Sequence, residues 1–202
     1  MIMRYQKEIN HLKGADPALA QLIERCGPCT LSPDAADPFA ALCESILYQQ
    51  LSGKAAATIA SRFKALYGDA YPHPAQLLKT KDEVLRGGGI SRGKLLALQD
   101  LARKAQDGAV DFKAILKMDD DAVIHHLIQV RGIGRWTAEM FLIFNQGRLD
   151  VFPVLDLGIQ KGVQKLYGYK KLPAESTMRK HAEKWKPYRT IATWYLWRQV
   201  DG

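Results

Sequence analysis

The segment LIQVRGIGRWTAEMF, residues 127–141, has residue types and spacing that suit the binding of an anionic ligand. Gly132 and Gly134 lie between Arg131 and Arg135, and glycine permits a positive φ and a close approach of another molecule to the backbone. If a helix begins directly after this turn, its first amides have no backbone partners, and such amides bind phosphate. The same letters also fit an ordinary antiparallel helix pair whose packing needs glycines. Taken alone, the segment leaves both interpretations open.

The cysteines and the paired histidines suggest redox or metal-binding motifs, but their sequence context does not fit either. Cys26 and Cys29 form CGPC, yet a thioredoxin-type pair needs a strand before it, and here a helical pattern precedes and TLSPDAADPF follows. Cys43 is the one further cysteine, so the chain alone does not supply four thiolates for zinc or an iron–sulfur cluster. His125 and His126 are adjacent and point in different directions on a helix. We expect a helix end and turn at CGPC, and no metal pair at the histidines.

A second glycine-rich segment, GGISRGKL at residues 88–95, has the spacing of a nucleotide phosphate loop. Leu95 stands where such a loop needs a magnesium-binding Ser or Thr, and the preceding LLKTKDEVLRG is helical in pattern. We therefore reject nucleotide hydrolysis. The segment is expected to turn one helix into the next and to display Arg92 and Lys94 near the start of the second.

The elements that must position these residues are helices. Apolar residues recur at i, i+3, i+4 or i+7, with Asp-Pro, Asp or Ser at the starts and Gly at the ends, and strand-like alternation is nearly absent. The segments with this pattern are residues 16–26, 37–68, 91–108, 119–130, 134–147, 155–168, 174–186 and 187–200. The pattern predicts an all-α fold of many short helices with tight turns.

Composition narrows the classes of partner. The 202 residues carry 29 Lys and Arg against 21 Asp and Glu, a formal net charge of +8 that favours an anionic partner such as nucleic acid. No stretch approaches the roughly 18 apolar residues of a membrane span. We expect an intracellular protein with no membrane partner, in the cytoplasm or nucleoid, or in the nucleus of a eukaryote.

Five segments together resemble one family of enzymes. LIQVRGIGRWTAEMFLIF is similar to the hairpin of the helix-hairpin-helix, Gly/Pro-rich loop, aspartate superfamily of DNA glycosylases, and NQGRLDVFPVLD then takes the place of the Gly/Pro loop. ESILYQQLSGKAA, GISRGK and HAEKWKPYRTIATWYLW resemble the 3-methyladenine DNA glycosylase II (AlkA-like) branch. The resemblance implies two helical subdomains with an active-site cleft between them, in a single unit of residues 1–202. Its expected parts are segments of about residues 1–36 and 150–202 beside a central bundle of about residues 37–149.

The resemblance places the catalytic aspartate at Asp156, where LDLGIQK begins a helix. Asp150 is the nearest competitor and falls inside the loop, where a structural role is expected. The alternative for Asp156 is a helix N-cap, a position that favours aspartate. Both roles are compatible, because a cap also fixes the carboxylate.

The reaction type follows from one position. Superfamily members that also cleave the strand use a lysine amine after GxGR, and this chain has Trp136 there. The expected reaction is therefore monofunctional hydrolysis of the N-glycosidic bond. The resemblance to the AlkA-like branch implies alkylated purines, of the 3-methyladenine and 7-methylguanine type, as the bases removed in base excision repair. No organic cofactor or divalent metal is implied. Double-stranded DNA with damaged bases is the expected partner of a monomeric enzyme.

The remaining site residues also come from the resemblance. A flipped base is expected to contact aromatic rings, and a side chain from YQQLS is expected to fill the hole it leaves. The hairpin is expected to hold a phosphate through amides and nearby cations, and its carbonyls a Na⁺ or K⁺ ion. The base pocket is assigned to Trp136, Trp197, Tyr48 and Phe39, the wedge to Leu51 with Gln50 and Ser52, the phosphate to Gly132, Gly134, Thr137, Arg131, Arg135, Arg92 and Lys94, and the cation to the carbonyls of Ile128, Val130 and Gly132.

Each of these assignments has a plainer alternative. Any of the aromatic rings is also suited to core packing, and QQLSGK also fits a simple interhelical turn. For the whole chain, the alternatives are a non-catalytic helix-hairpin-helix DNA-binding module, or a glycosylase for oxidised or deaminated bases. The non-catalytic module has no need for an aspartate after a Gly/Pro loop.

Overall fold

Proline, aspartate and serine set the starts of the helices. The computed structural model describes residues 4–201, and within that range every regular element is helical, which confirms the all-α prediction. Asp16 accepts hydrogen bonds from the amides of Ala18 and Leu19 at the start of a helix whose first residue is Pro17. Asp37, Ser91 and Asp119 cap later helices in the same way. The helices are α1 Gln6–Ala15, α2 Pro17–Cys26, α3 Pro38–Tyr48, α4 Gly53–Ala65, α5 Pro74–Lys79, α6 Asp82–Gly87, α7 Arg92–Gln106, α8 Phe112–Ile115, α9 Asp120–Leu127, α10 Arg135–Phe144, α11 Leu157–Tyr167, α12 Glu175–Ala182, a 3₁₀ turn Glu183–Trp185, and α13 Arg189–Asp201.

The chain divides into two compact units. The central unit is Asp34–Phe141, and the terminal unit combines the described residues up to Pro33 with those from Leu142 onward. In the central unit, α7 packs against α3, α5 and α6, and α3 also packs against α4. Its core side chains include Leu42, Ile46, Leu47, Phe63, Leu77, Leu85 and Leu98, all fully buried.

The terminal unit is built around the contact of α11 with α13. A side chain on Gly162 would place its Cβ 2.8 Å from the carbonyl oxygen of Leu196, so the two helices approach more closely than any other residue type permits. Helix α2 packs on both of them, and α1 packs on α2. Core residues of this unit include Leu12, Leu19, Leu22, Ile159, Val163, Trp185, Ile191, Tyr195 and Leu196.

A buried carboxylate ties the two ends of the chain together in the terminal unit. Asp16 is 2% exposed, and it accepts hydrogen bonds from the hydroxyl of Tyr167 and from Nε1 of Trp185, the latter at 3.1 Å. Burial alone would raise the pKa of Asp16, but the hydrogen bonds from Tyr167 and Trp185 outweigh it, and the pKa lies below its usual value. Both donors lie more than 150 positions after Asp16 in the sequence. Their hydrogen bonds therefore fix the start of α2 against the C-terminal segment.

The CGPC segment is a helix end and turn, as predicted. Helix α2 ends at Cys26, and Gly27 follows with φ of 76°. All three cysteines are free thiols, and burial raises the pKa of Cys29 to about 11. A thiol with such a pKa is not a reactive nucleophile at neutral pH. Separately, within residues 4–201 no helix combines the length and apolar character needed to cross a membrane.

Candidate functional site

Asp156 occupies the N-cap of α11, the structural role that the sequence allowed for it. Its Oδ1 accepts a hydrogen bond from the amide of Ile159 at 2.8 Å and another from Nε1 of Trp197 at 2.9 Å. The side chain is half-buried. Two donors on one oxygen fix the direction of the carboxylate, so the group is preorganised before any ligand is present.

A glycine makes room for this arrangement. An added Cβ on Gly158 would lie 3.0 Å from Asp156 Oδ1 and 3.0 Å from Cδ1 of Trp197. The ring of Phe144 also stacks on Trp197, with centroids 5.9 Å apart and planes inclined by 19°. The structure thus brings Asp156 and Trp197 together through a hydrogen bond, a contact that the prediction of Trp197 as a pocket wall did not include.

Asp150, the competing aspartate, is engaged in a bidentate ion pair. Nε and Nη2 of Arg189 lie 2.7 and 2.9 Å from its two carboxylate oxygens, and the amide of Arg189 also donates to it. This pair joins the Gly/Pro loop to the start of α13. The geometry supports the structural role expected for Asp150.

The aromatic side chains of the central unit differ in exposure. Trp136, the second residue of α10, is 49% exposed, and Tyr48, at the end of α3, is 38% exposed. Phe39 is 3% exposed and packs edge-to-face on Phe112. Phe39 belongs to the core because the α3 face that carries it is buried, which corrects its assignment to a base pocket.

The predicted wedge lies on an exposed turn between α3 and α4. Leu51 is 40% exposed, and Gln50 has φ of 56°, a left-handed conformation that is uncommon for residues other than glycine. Ser52 precedes the first residue of α4. The exposure expected for this segment is therefore present, and the wedge role stays a prediction.

The hairpin turn, defined here as residues 128–134 between α9 and α10, differs from the expectation at one glycine. Gly132 has φ of 78°, as expected, but Gly134 does not adopt a positive φ. A Cβ on Gly134 would meet nothing within 4 Å, so this glycine contributes open space beside the start of α10. The turn-then-helix arrangement required for amide binding of phosphate is present.

Several predicted phosphate ligands already have protein partners. Nε of Arg135 lies 3.0 Å from Glu139, and its Nη2 lies 3.4 Å from Asp121. The ammonium of Lys94 donates to the carbonyl of Leu47 at 2.7 Å, and burial lowers its pKa. Lys94 is therefore directed at the end of α3, which corrects the expectation that it is displayed to a ligand.

The other predicted phosphate ligands are distributed along the same unit. Arg131 in the turn and Arg92 at the start of α7 are exposed. Thr137, in the first turn of α10, is 5% exposed, and its hydroxyl lies 3.4 Å from Nε2 of Gln49. Only the backbone amide of Thr137 was assigned to the phosphate, so its buried side chain does not conflict with that role.

The carbonyls assigned to a monovalent cation are partly used within the protein. The carbonyl of Val130 accepts from the amide of Ile133 at 3.0 Å, and that of Gly132 accepts from Nε2 of Gln49 at 2.9 Å. A carbonyl oxygen has two lone pairs, so each retains capacity for a cation. Among residues 4–201, no group of three or more His, Cys, Asp or Glu side chains is placed to hold a metal ion.

Four residues that bear on these regions were not identified from the sequence. Gln49, Asp100 and Lys104 contact the hairpin turn, and Gly158 adjoins Asp156. Gly158 follows Asp156 by two residues, which was a usable signal. Asp100 lies 31 positions before its partner Arg131, and no local pattern reveals such a contact.

The chain is similar to known proteins along most of its length. Residues 43–187 match the family model described as HhH-GPD superfamily base excision DNA repair protein. DNA-3-methyladenine glycosylase 1 of Schizosaccharomyces pombe is 34% identical over 93% of this chain and 84% of the relative.

Two solved structures share the fold over nearly the whole chain. The DNA-3-methyladenine glycosidase of Bacillus halodurans superposes with a TM-score of 0.89 and 38% identity, over 96% of this chain and 88% of that one. The 3-methyladenine DNA glycosylase Mag1 of S. pombe, in complex with abasic DNA, superposes with a TM-score of 0.85 and 33% identity, over 98% of both chains. The hairpin turn, the Gly/Pro loop and Asp156 all lie inside the matched region, and the chain belongs to the HhH-GPD superfamily of base excision DNA repair proteins.

Proposed function

We propose that this chain is a monofunctional DNA glycosylase that removes alkylated purines, of the 3-methyladenine and 7-methylguanine type, in base excision repair. The observation that carries the proposal is the preorganised carboxylate of Asp156, at the position that the family motif assigns to the catalytic aspartate. The names of the similar proteins, which are DNA-3-methyladenine glycosylases, support the class of lesion.

The chemistry requires a fixed anion. Cleavage of the bond between the base and deoxyribose C1′ develops oxocarbenium character on the sugar, and an oriented carboxylate stabilises that charge without reorganising. The same group orients the attacking water or accepts its proton. An alkylated purine is already cationic and leaves readily, so this reaction needs little help from a general acid.

Water is the proposed nucleophile. Trp136 stands where strand-cleaving members of the superfamily carry a lysine, and an indole forms no Schiff base. The product is then an abasic site in an intact strand. Borohydride added during turnover should trap no cross-linked complex, and strands should break only after alkali or heat. A trapped complex would implicate another amine, Lys161 first, since it lies about one helical turn beyond Asp156.

DNA recognition is assigned to both units. The hairpin turn of the central unit offers backbone amides to a phosphate, and its carbonyls of Ile128, Val130 and Gly132 are proposed to hold a Na⁺ or K⁺ ion. Leu51 is the proposed wedge, with Gln50 and Ser52 beside it. The rings proposed to contact the extruded base are Trp136, Tyr48 and Trp197. We propose a monomer that acts on double-stranded DNA inside the cell.

A release assay tests the proposal. Duplexes that each carry one defined lesion, namely 7-methylguanine, 3-methyladenine, hypoxanthine or 8-oxoguanine, are incubated with excess protein, and free base is measured. Release of the methylated purines by the wild type, and its loss in Asp156→Asn, is the expected result. Release of 8-oxoguanine or hypoxanthine alone would favour the alternative lesion classes. Binding without release of any base would favour a non-catalytic DNA-binding module.

A further inference from the structure

The hairpin turn makes few hydrogen bonds of its own. Two backbone hydrogen bonds close the turn itself: the amide of Val130 donates to Leu127 and the amide of Ile133 donates to Val130, both at 3.0 Å. At its two ends, the amide of Ile128 donates to Ile124 in α9 and the carbonyl of Gly134 accepts from the amide of Ala138 in α10. Three other hydrogen bonds to the backbone of the turn come from side chains on distant elements of the central unit: Asp100, Lys104 and Gln49. The conformation of the turn therefore depends on residues that lie outside it.

Helix α7 supplies two of these side chains, Asp100 and Lys104, which bind each other as well as the backbone of the turn. Asp100 Oδ2 accepts from the amide of Arg131 at 2.8 Å and from the ammonium of Lys104 at 2.6 Å. The same ammonium donates to the carbonyl of Gln129 at 2.8 Å. The carboxylate and the ammonium thus form an ion pair, and each of them also binds one backbone group of the turn.

The face of α7 that carries this pair also touches the turn directly. Ala97, Asp100 and Lys104 have the i, i+3, i+7 spacing of one helix face. A Cβ on Gly132 would lie 3.2 Å from the Cβ of Ala97, so the turn rests on the helix at the residue where its φ is positive. The Asp100 and Lys104 side chains are 21% and 28% exposed, which reduces the solvent screening of their attraction.

Gln49 contacts the turn at Gly132, one residue after the amide that Asp100 holds. Its Nε2 donates to the carbonyl of Gly132 at 2.9 Å and lies 3.4 Å from the hydroxyl of Thr137 in α10. Gln49 directly follows α3 and precedes Gln50 and Leu51. One side chain therefore links the turn, the start of α10 and the wedge segment.

We propose that Asp100, Lys104 and Gln49, here called the brace, are positioning residues that hold the hairpin turn in the conformation that binds a DNA phosphate. The proposal rests on the proposed function, since it assigns a purpose to the hairpin of that enzyme. Neutral amides bind an anion well only when they are already aimed at it. The amide of Arg131 is used by Asp100, so the braced turn offers the amides of Gly132, Gly134 and Thr137.

The direction in which Asp100→Asn changes the affinity for DNA distinguishes a positioning role from a purely electrostatic one. Asp100 is an anion near a surface proposed to bind an anion, so a purely electrostatic effect of Asp100→Asn would tighten DNA binding. Loss of the brace would weaken binding instead. Likewise, if Lys104 contacted a phosphate itself, Lys104→Met would lower the slope of log Kd against log salt concentration by about one. A positioning role leaves that slope unchanged.

The test uses the full chain and a duplex with a tetrahydrofuran abasic-site analogue, with fluorescence anisotropy over a series of salt concentrations. We expect Asp100→Asn, Lys104→Met and Gln49→Met each to raise Kd about 5- to 20-fold. The Kd of the double variant of Asp100 and Lys104 should be little higher than the larger of the two single-variant Kd values, because the two side chains act as one unit. Single-turnover excision of 7-methylguanine at saturating protein should change less than about twofold.

The matched control is another i,i+4 ion pair with no bond to the turn. On α12, Nη2 of Arg179 lies 2.7 Å from Oε1 of Glu175. Neither Glu175→Gln nor Arg179→Met should change Kd for DNA. Equal effects from this control pair would overturn the proposal, as would tighter binding by Asp100→Asn or an unchanged Kd in all three brace variants. If Asp100→Asn lacks a cooperative unfolding transition, hydrogen exchange of the wild type decides instead. Slow exchange of the Arg131 amide supports the brace, and exchange at the rate of an unprotected amide overturns it.

The analogue separates this proposal from the proposed function. The duplex carries no base to release, so Kd is measured whether or not the wild type excises anything. Binding without excision would contradict the glycosylase assignment and leave the brace testable. Normal excision with no effect of the brace variants on Kd would contradict the brace alone.

Discussion

The start of α11 and the hairpin turn both combine a helix N-terminus with a nearby glycine, but the atoms proposed to be functional are of different kinds. At α11, the proposed functional oxygens belong to the Asp156 side chain, and Gly158 leaves the space around them. At the turn, the atoms proposed to bind phosphate are backbone amides, and distant side chains hold neighbouring backbone groups of the same turn. When a side chain carries the function, one substitution removes it. When backbone amides carry the function, substitutions reach only the supporting side chains, so each one weakens the function without abolishing it.

The largest expected effect tests the first half of this contrast. Asp156→Asn keeps the shape and removes the charge, so excision of 7-methylguanine should fall by about a thousandfold or more while Kd for DNA is retained. Single-turnover kinetics and anisotropy measure the two. Asp150→Asn should instead lower Tm, because it leaves the half-buried Arg189 guanidinium without its ion pair. Near-normal excision by Asp156→Asn would remove the basis of the comparison.

Gly158→Ala should produce the next largest effect. The added methyl group would lie 3.0 Å from both Asp156 Oδ1 and the Trp197 ring, so one of them must shift. We expect excision to slow about 10- to 100-fold, as for a misplaced catalytic group, with little change in Kd. Gly14→Ala in α1 is the control, since its Cβ would meet nothing within 4 Å. An equal loss in both variants would show that the space around Gly158 is not specific to the carboxylate.

Trp136→Ala tests whether a side chain in the central unit also carries chemistry. If the ring attracts a cationic base, the loss should be about 2- to 30-fold greater for 7-methylguanine than for neutral hypoxanthine. Single-turnover rates on the two lesions give this ratio directly. Equal losses on both would leave Trp136 as a packing wall.

Leu51→Ala should give a smaller, purely conformational effect. A shorter side chain fills less of the gap left by an extruded base, so excision from duplex DNA should slow about 5- to 10-fold. Excision from single-stranded DNA should be unchanged, because there is no stack to replace. Leu116→Ala, at a residue of the same unit that is 64% exposed, provides the control. A duplex rate equal to that of the wild type would exclude Leu51 as the wedge.

The smallest effect concerns pH. Burial would raise the pKa of Asp100, but hydrogen bonds from the Arg131 amide and from Lys104 outweigh it and hold the pKa below its usual value. A depressed pKa contributes stability above the ordinary value near 3.8, and that stability is lost as pH falls through the folded value. Thermal unfolding of the wild type and Asp100→Asn should therefore converge as pH falls below about 4. A constant difference in Tm down to pH 3 would contradict the charged form of the brace.

The helices and Asp156 were predictable because their signals are local. Apolar periodicity and Asp or Ser caps place the helices, and the helix that begins at LDLGIQK predicts Asp156 as an N-cap. The side-chain environments were not predictable. Phe39 and Tyr48 lie on one helix with similar aromatic character, and only packing buries the first and exposes the second. Lys94 has the sequence context of a displayed cation, yet a carbonyl 47 positions away captures its ammonium.

The terminal unit has a consequence for synthesis on the ribosome. Its first segment ends at Pro33, and its second begins only after Asp34–Phe141. Helix α13 ends at Asp201, so translating the roughly 170 residues after Pro33 at roughly 5–20 residues per second takes roughly 8–34 s, during which Leu12, Leu19 and Leu22 lack the complete pair of α11 and α13. The central unit has no such delay, because its sequence is continuous. A nascent chain should therefore gain a protease-resistant central unit first, while α1 and α2 are amphipathic helices whose uncovered apolar faces can bind a chaperone.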